Sequence, residues 1–213
     1  WALDEFVEGR VRGFVGRTRI TDELVELAAS PATEGADWGA CVTAEAGAGK
    51  SSLFGHLQRL LREREVLVLS HAAGISVRST QVDLMLRRWV GELATALGEA
   101  NSLGDTAPPD EIDRAFARLL GRASSQRRVV VLIDALNQFE PTTRATHLTW
   151  LPRLWPPNSR LVATAISGTA ATALLQRPGV IDARLSPIDR DEALDIVSGI
   201  CARYHRTLSP VVE

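Results

Sequence analysis

Lysine and arginine together number 24, and only one of them, Lys50, is lysine. It stands in the segment AEAGAGKSS, Ala44–Ser52. A compact ammonium on a flexible stem fits between phosphate oxygens, a geometry the planar arginine fork does not imitate. Gly47 and Gly49 let the backbone wrap so that the N–H groups of Ala46, Gly47, Ala48, Gly49, Lys50, Ser51 and Ser52 turn inward on an anion. The positive end of a following helix would add to them. Lys50 would then neutralise the β and γ phosphates while the Ser51 hydroxyl sits on Mg²⁺. The pattern GxxxxGK[ST] is met except at Ala44, where a methyl group replaces glycine and is tolerated if φ stays negative.

A magnesium-bound triphosphate also needs an acid on a nearby strand. RRVVVLIDALNQF, Arg127–Phe139, is an apolar run ending on Asp134, and a carboxylate at that strand's C-terminal edge reaches the hydration shell of the ion. Hydrolysis further needs a group that orients or deprotonates water. The common hhhhDxxDE form of this strand puts glutamate four residues after the aspartate, but here the position is Gln138, preceded by Asn137. An amide orients water and accepts no proton, and general-base help is worth roughly 10² to 10⁴ in rate, so slow turnover is expected. Glu140 is either a substitute base or a surface carboxylate. Thr164, in RLVATAIS, would hydrogen-bond the γ phosphate or the attacking water, or serve only as a β-branched strand residue. The expected catalytic set is Lys50, Asp134, Gln138 and Thr164, with Ser51 and Asp134 on the metal.

Such residues need strands that end together. Trp38–Ala44 reads as a buried strand, and Leu53, Leu57, Leu60 and Leu61 share one face of the helix after the glycine-rich turn. Val66–Ala72, Arg128–Asp134, Leu161–Ile166 and Val180–Leu185 read as further strands. Between them lie helices: Val82–Leu97, closed by Gly98; one capped by Asp110 that bears Ile112, Phe116, Leu119 and Leu120; and a last one opened by Asp189 that carries Leu194, Val197, Ile200, Cys201 and Tyr204. Thr21 would cap a short helix ahead of a polar loop, Ser30–Asp37. The Pro141–Asn158 connection, rich in Trp and Pro, reads as loop. Strands separated by helices imply an α/β fold with a parallel sheet and right-handed crossovers.

With 213 residues, 45% hydrophobic and 23% charged, and a net charge of −2, the chain is globular rather than a solvated tail. Scattered arginine offers no basic stripe for nucleic acid, and the pairs Arg87/Arg88 and Arg127/Arg128 read as solvated helix or strand edges. Cys41 and Cys201 have neither disulfide-framework nor metal-ligand spacing and read as buried apolar residues. His56, His71, His147 and His205 are too dispersed for a ligand set. No run approaches the roughly 18 apolar residues of a membrane span, and no secretory segment is present. A cytoplasmic fragment of a longer protein is expected.

The segments FVGRTRITDEL, HAAGISVRSTQVDLMLRRWVGEL, IDALNQ, TWLPRLWPPNSRLVATAIS and LSPIDRDEALDIV resemble a signal-transduction NTPase of the STAND class. They lie close to NACHT proteins and are similar to the telomerase-associated and nephrocystin-type branch, over nearly all of residues 12–210. The expected architecture is a three-layer P-loop NTPase fold with about five parallel strands in the order 5-1-4-3-2. An N-terminal segment and helix would span 1–30, the nucleotide-binding core 31–187 and the start of a helical lid 188–213. The resemblance implies Mg²⁺ and ATP, or ADP, as ligands, with Val15 and Arg17 bordering the nucleotide and Pro187 approaching the base. Ile166 departs from the arginine that many NACHT proteins carry there. The implied role is a slowly hydrolysing switch for self-association, joined to effector and sensor domains outside this chain, with signalling or antiviral defence as its use and no nucleic acid partner. The alternative is a turnover ATPase of the AAA or origin-recognition type acting on nucleic acid or protein. A small-molecule P-loop kinase and a degenerate P-loop scaffold are further rivals.

Overall fold

The computed structural model describes residues 2–12, 14–29, 35–203 and 205–206. Tyr204 and most of the expected polar loop lie outside the described residues. The strands are β1 (Gly39–Thr43), β2 (Leu67–Ala72), β3 (Val129–Asp134), β4 (Ser159–Ala165) and β5 (Val180–Asp182). They form one sheet in the order β2-β3-β4-β1-β5, every pair parallel. This is the expected order read from the other edge.

Helices cover both faces. On one side α1 (Ala2–Val11), α2 (Thr18–Ala29) and α3 (Lys50–Arg62) pack over Ala40, Val42, Val130, Leu132 and Val162. On the other, α4 (Val82–Ala96), α5 (Pro109–Gln126), α6 (Thr143–Thr146) and α7 (Thr169–Leu175) enclose Leu69, Val129, Val131, Ile133, Leu161 and Ala163. A last helix, α8 (Arg190–Arg203), follows β5. Because both faces are covered, β1, β3 and β4 are buried at every position. That is why they read as continuous apolar runs rather than alternating ones.

The second core centres on three aromatic rings. Trp89 of α4 lies 5.7 Å from Phe116 of α5 and 6.4 Å from Trp150, which itself lies 6.4 Å from Phe116. Trp89 and Trp150 are almost fully buried, so truncating Trp89 to alanine should cost about 3–5 kcal/mol. Trp150 comes from the Trp- and Pro-rich connection, which sends Ala145, Leu148, Trp150 and Leu151 into this core and leaves Leu154 exposed. On the opposite face α1 crosses α3 at Gly55, where a Cβ would stand 3.0 Å from Val11 Cγ2. Glycine is what lets the two helices approach.

Several local expectations are corrected. The helix expected to be capped by Asp110 begins at Pro109 with Pro108 as its cap, since proline's fixed φ suits the first turn. Asp110 lies inside that turn. Thr21 is likewise buried within α2, which starts at Thr18. Asp189 does cap α8, accepting from Glu192 N at 2.8 Å. Gly98, with φ 72°, follows the C-cap of α4 as expected. Cys41 is buried, but Cys201 is only half-buried. Arg128 is no solvated edge: it is 9% exposed. Among the described residues no helix is long and apolar enough to cross a membrane.

Candidate functional site

The C-terminal ends of β1, β3 and β4 converge, and in an open parallel sheet that edge is where ligands bind. β1 leaves through Ala44, whose φ is not positive, so its methyl group is accommodated. Gly47 and Gly49 then take φ of 80° and 90°, values that disfavour any side chain. A Cβ at either glycine would meet nothing within 4 Å, so the loop surface there is open. Gly49 is the N-cap of α3 and has no side-chain cap bond, so the first N–H groups of the helix remain for a ligand. Ala46 is exposed, and Ala48, Ser51 and Ser52 are half-buried along this turn.

Lys50 opens α3 and folds back over the loop. Its Nζ donates to Ala44 O at 2.8 Å and Glu45 O at 2.7 Å. Burial lowers the Lys50 pKa below the ordinary lysine value, against the opposing charges of Asp134 and Glu45. Lys50 and Asp134 therefore lie close enough to act on each other.

Asp134 ends β3, 2% exposed. Thr164, on β4, donates its hydroxyl to Asp134 Oδ1 at 2.5 Å and accepts from Ala135 N at 2.9 Å. The hydroxyl that the sequence directed toward phosphate or water is thus engaged with the carboxylate. Ala135 carries a left-handed φ of 56°, a conformation costing about 1–2 kcal/mol for a residue with a Cβ. It turns the chain sharply out of β3. The turn Leu136–Gln138 follows, tied down by Ile166 N donating to Asn137 Oδ1 at 3.0 Å. Gln138 is exposed and faces Gly74, where a Cβ would come within 3.3 Å of its own Cβ. Glu140 lies elsewhere, lining a hollow of about 130 Å³ with Thr80, Asp83 and Arg144. Neither the Ala135 strain nor the Asn137 clamp had any signature in the sequence.

A second cluster joins the segment between α1 and α2 to α8. Gly16 and Arg17 both have positive φ, 79° and 59°. Arg17 Nη1 pairs with Glu192 Oε2 at 3.3 Å, while its Nη2 is buried without a hydrogen-bond partner. Arg17, Leu185, Pro187 and Glu192 line a pocket of about 190 Å³. Val15 is not in that lining; it packs under α8, where a Cβ at Gly199 would come within 2.8 Å of Val15 Cγ2. A larger hollow, about 610 Å³, lies beside β2 and away from the loop that carries Lys50.

With this geometry in view, the family model for the AAA ATPase domain matches residues 13–163. The chain belongs to that family. The AAA domain is 25% identical, over 81% of its length, to a TPR repeat-containing protein of Dictyostelium discoideum, of which it spans 13%. Its fold resembles AMPPCP-bound DnaA from Aquifex aeolicus, at TM-score 0.55 and 13% identity, covering 93% of this chain and 56% of that one. It also resembles domain III of the replication initiation protein DnaA from Thermotoga maritima, at TM-score 0.52 and 14% identity, covering 95% and 77%. This is an AAA-type ATPase domain with a P-loop NTPase fold, and nucleotide is the ligand its family supports.

Proposed function

We propose that this AAA domain binds Mg-ATP and hydrolyses it slowly, acting as a regulatory switch within a longer protein. One observation carries the reading: Lys50 lies near enough to Asp134 to feel its charge, and the residue four positions after Asp134, in the exposed turn that follows β3, is the amide Gln138.

The residues present fit the nucleotide and its metal. The open surface at Gly47 and Gly49 and the uncapped N-terminus of α3 provide main-chain N–H groups for phosphate oxygens. Lys50 would exchange Ala44 O and Glu45 O for the β and γ phosphates. Asp134 has one carboxylate oxygen held by Thr164, leaving Oδ2 for a metal-bound water. Among the described residues no group of three or more His, Cys, Asp or Glu could hold a cation unaided. Ser51 and Asp134 would hold a hard divalent ion such as Mg²⁺ alongside the phosphate oxygens. Bound in that way, Mg²⁺ supplies charge neutralisation on the triphosphate.

Gln138 would orient the attacking water, and its amide accepts no proton. Arg17 and Pro187 would border the base and ribose, so the Arg17–Glu192 pair would make α8 responsive to what occupies the cleft. A ligand shifts such an element only through contacts that differ between its two arrangements. Self-association, and control of effector or sensor modules, fit this reading, as does the STAND and NACHT resemblance.

A second reading is a turnover ATPase of the replication-initiation kind, favoured by the fold likeness to DnaA. Single-turnover hydrolysis separates the two. The switch reading expects ATP to be released faster than it is cleaved, with Gln138→Glu raising the cleavage rate about 10²-fold or more. Fast cleavage by the natural protein, stimulated further by DNA and indifferent to Gln138→Glu, overturns it in favour of the second.

A further inference from the structure

At the other end of the sheet, two arginines are buried side by side, with no acid paired to either among the described residues. Arg160 is 3% exposed and Arg128 9%. Val130 is in register with Arg160, and Arg128 lies two residues before Val130. Side chains two apart share a face, so both guanidiniums project to the side covered by α2 and α3. Arg160 Nη1 donates to Pro157 O and Ser159 O, both main-chain carbonyls. Arg160 Nε and Arg128 Nη1 are buried with no hydrogen-bond partner. Neither residue joins an ion pair among the described residues.

Buried charges in proteins are paired or bound to a counter-ion, because the desolvation cost is otherwise uncompensated. Here that cost is compounded by like charge. Burial lowers both arginines below the ordinary value, and the charge of Arg128 lowers Arg160 further. Two guanidinium forks make a doubly positive, planar-donor site suited to a compact oxyanion. A single carboxylate would balance one of the two charges, whereas inorganic phosphate near neutral pH is a mixture of monoanion and dianion that can balance both. With the two residues only 9% and 3% exposed, a small free ion reaches them more readily than a phosphate carried on a polymer.

We propose that Arg128 and Arg160 form a binding site for free inorganic phosphate at the N-terminal edge of β3 and β4. Asp134 ends β3, six positions after Arg128 and about 20 Å away along the strand. It is therefore independent of the Lys50 loop and of the nucleotide reading.

The test is thermal unfolding in a Lys50→Ala background, which removes the response of the other phosphate-binding loop. Inorganic phosphate is titrated against chloride and acetate at constant ionic strength. Phosphate at a hundred times its Kd should raise Tm by roughly 5–10 °C, with acetate much weaker. The Arg128→Met/Arg160→Met pair should abolish the shift and Arg160→Lys should reduce it. Should the double variant not fold, the ³¹P linewidth of phosphate provides the second reading: broadened by the Lys50→Ala protein and not by the same protein carrying Arg160→Met. An equal shift or equal broadening without the arginines, no response to phosphate at all, or an equal response to acetate overturns the proposal.

Discussion

One hydroxyl joins the ends of two strands: Thr164 Oγ1 lies 2.5 Å from Asp134 Oδ1 and 2.9 Å from Ala135 N. Both partners of this buried group are polar atoms with little alternative. Thr164→Val preserves shape but leaves a carboxylate oxygen and a main-chain N–H unpaired, at about 1–3 kcal/mol for each group. Urea unfolding should show a loss of roughly 2 kcal/mol or more, while Thr164→Ser keeps most of the stability. A loss below about 0.5 kcal/mol for the valine variant would show that the bond contributes nothing.

Ala135 bears the strain of the turn that follows. Glycine accepts its φ of 56° without penalty. Ala135→Gly should therefore be neutral or stabilising by up to about 1 kcal/mol, despite glycine's greater freedom when unfolded. Ala135→Val should destabilise by more than that, since a β-branched residue rarely enters this region. Chemical denaturation of the two variants checks this, and a glycine variant destabilised as much as the valine variant would show that the turn is not strained.

The contrast between what was readable and what was not follows range. The strands and most of the long helices were visible because their apolar residues repeat at fixed short spacing, as in β3 and α4. The glycine-rich turn was visible because φ values like those at Gly47 and Gly49 demand glycine. α1 escaped notice because only Val7 of its ten residues is buried, which leaves no clear periodic face. α7 is a run of Ala, Thr and Leu too short to show a period. The role of Thr164 depends on a partner on another strand, and that of Arg17 on Glu192 far along the chain. No local pattern records such pairings. The burial of Arg128 is hidden for the same reason: it follows Ser125, Gln126 and Arg127 in sequence, and the helices that cover it come from elsewhere in the chain.

Arg17 and Glu192 link the segment between α1 and α2 to α8 with side chains 9% and 28% exposed. Glu192→Gln leaves the guanidinium without its counter-charge, and partial exposure moderates the cost to about 1–2 kcal/mol. Amide hydrogen exchange along α8 should accelerate about ten-fold. Unchanged exchange would mean that packing at Gly199, and not the ion pair, holds the helix.

His71 should shape the acid limb of stability. Burial pushes its pKa down to about 4, with a hydrogen bond to Ser79 O opposing the shift and Arg88 adding to it. The unfolded chain binds a proton below about 6.5 that the folded chain refuses until about pH 4. Stability from this group is therefore complete above pH 6.5 and declines as pH falls toward 4, by on the order of 3 kcal/mol. His71→Gln should flatten the curve in that window, and a slope equal to that of the parent protein would assign the acid limb to other groups.

Calorimetric titration of Mg-ATP tests the central claim most directly, using the natural protein, Lys50→Ala and Asp134→Asn. Saturable one-to-one binding by the natural protein is expected, weakened at least ten-fold, or 1.4 kcal/mol, by Lys50→Ala. Asp134→Asn should weaken Mg-ATP and leave metal-free ATP nearly unchanged. Binding that is absent from the natural protein, or equally strong in all three, contradicts the account.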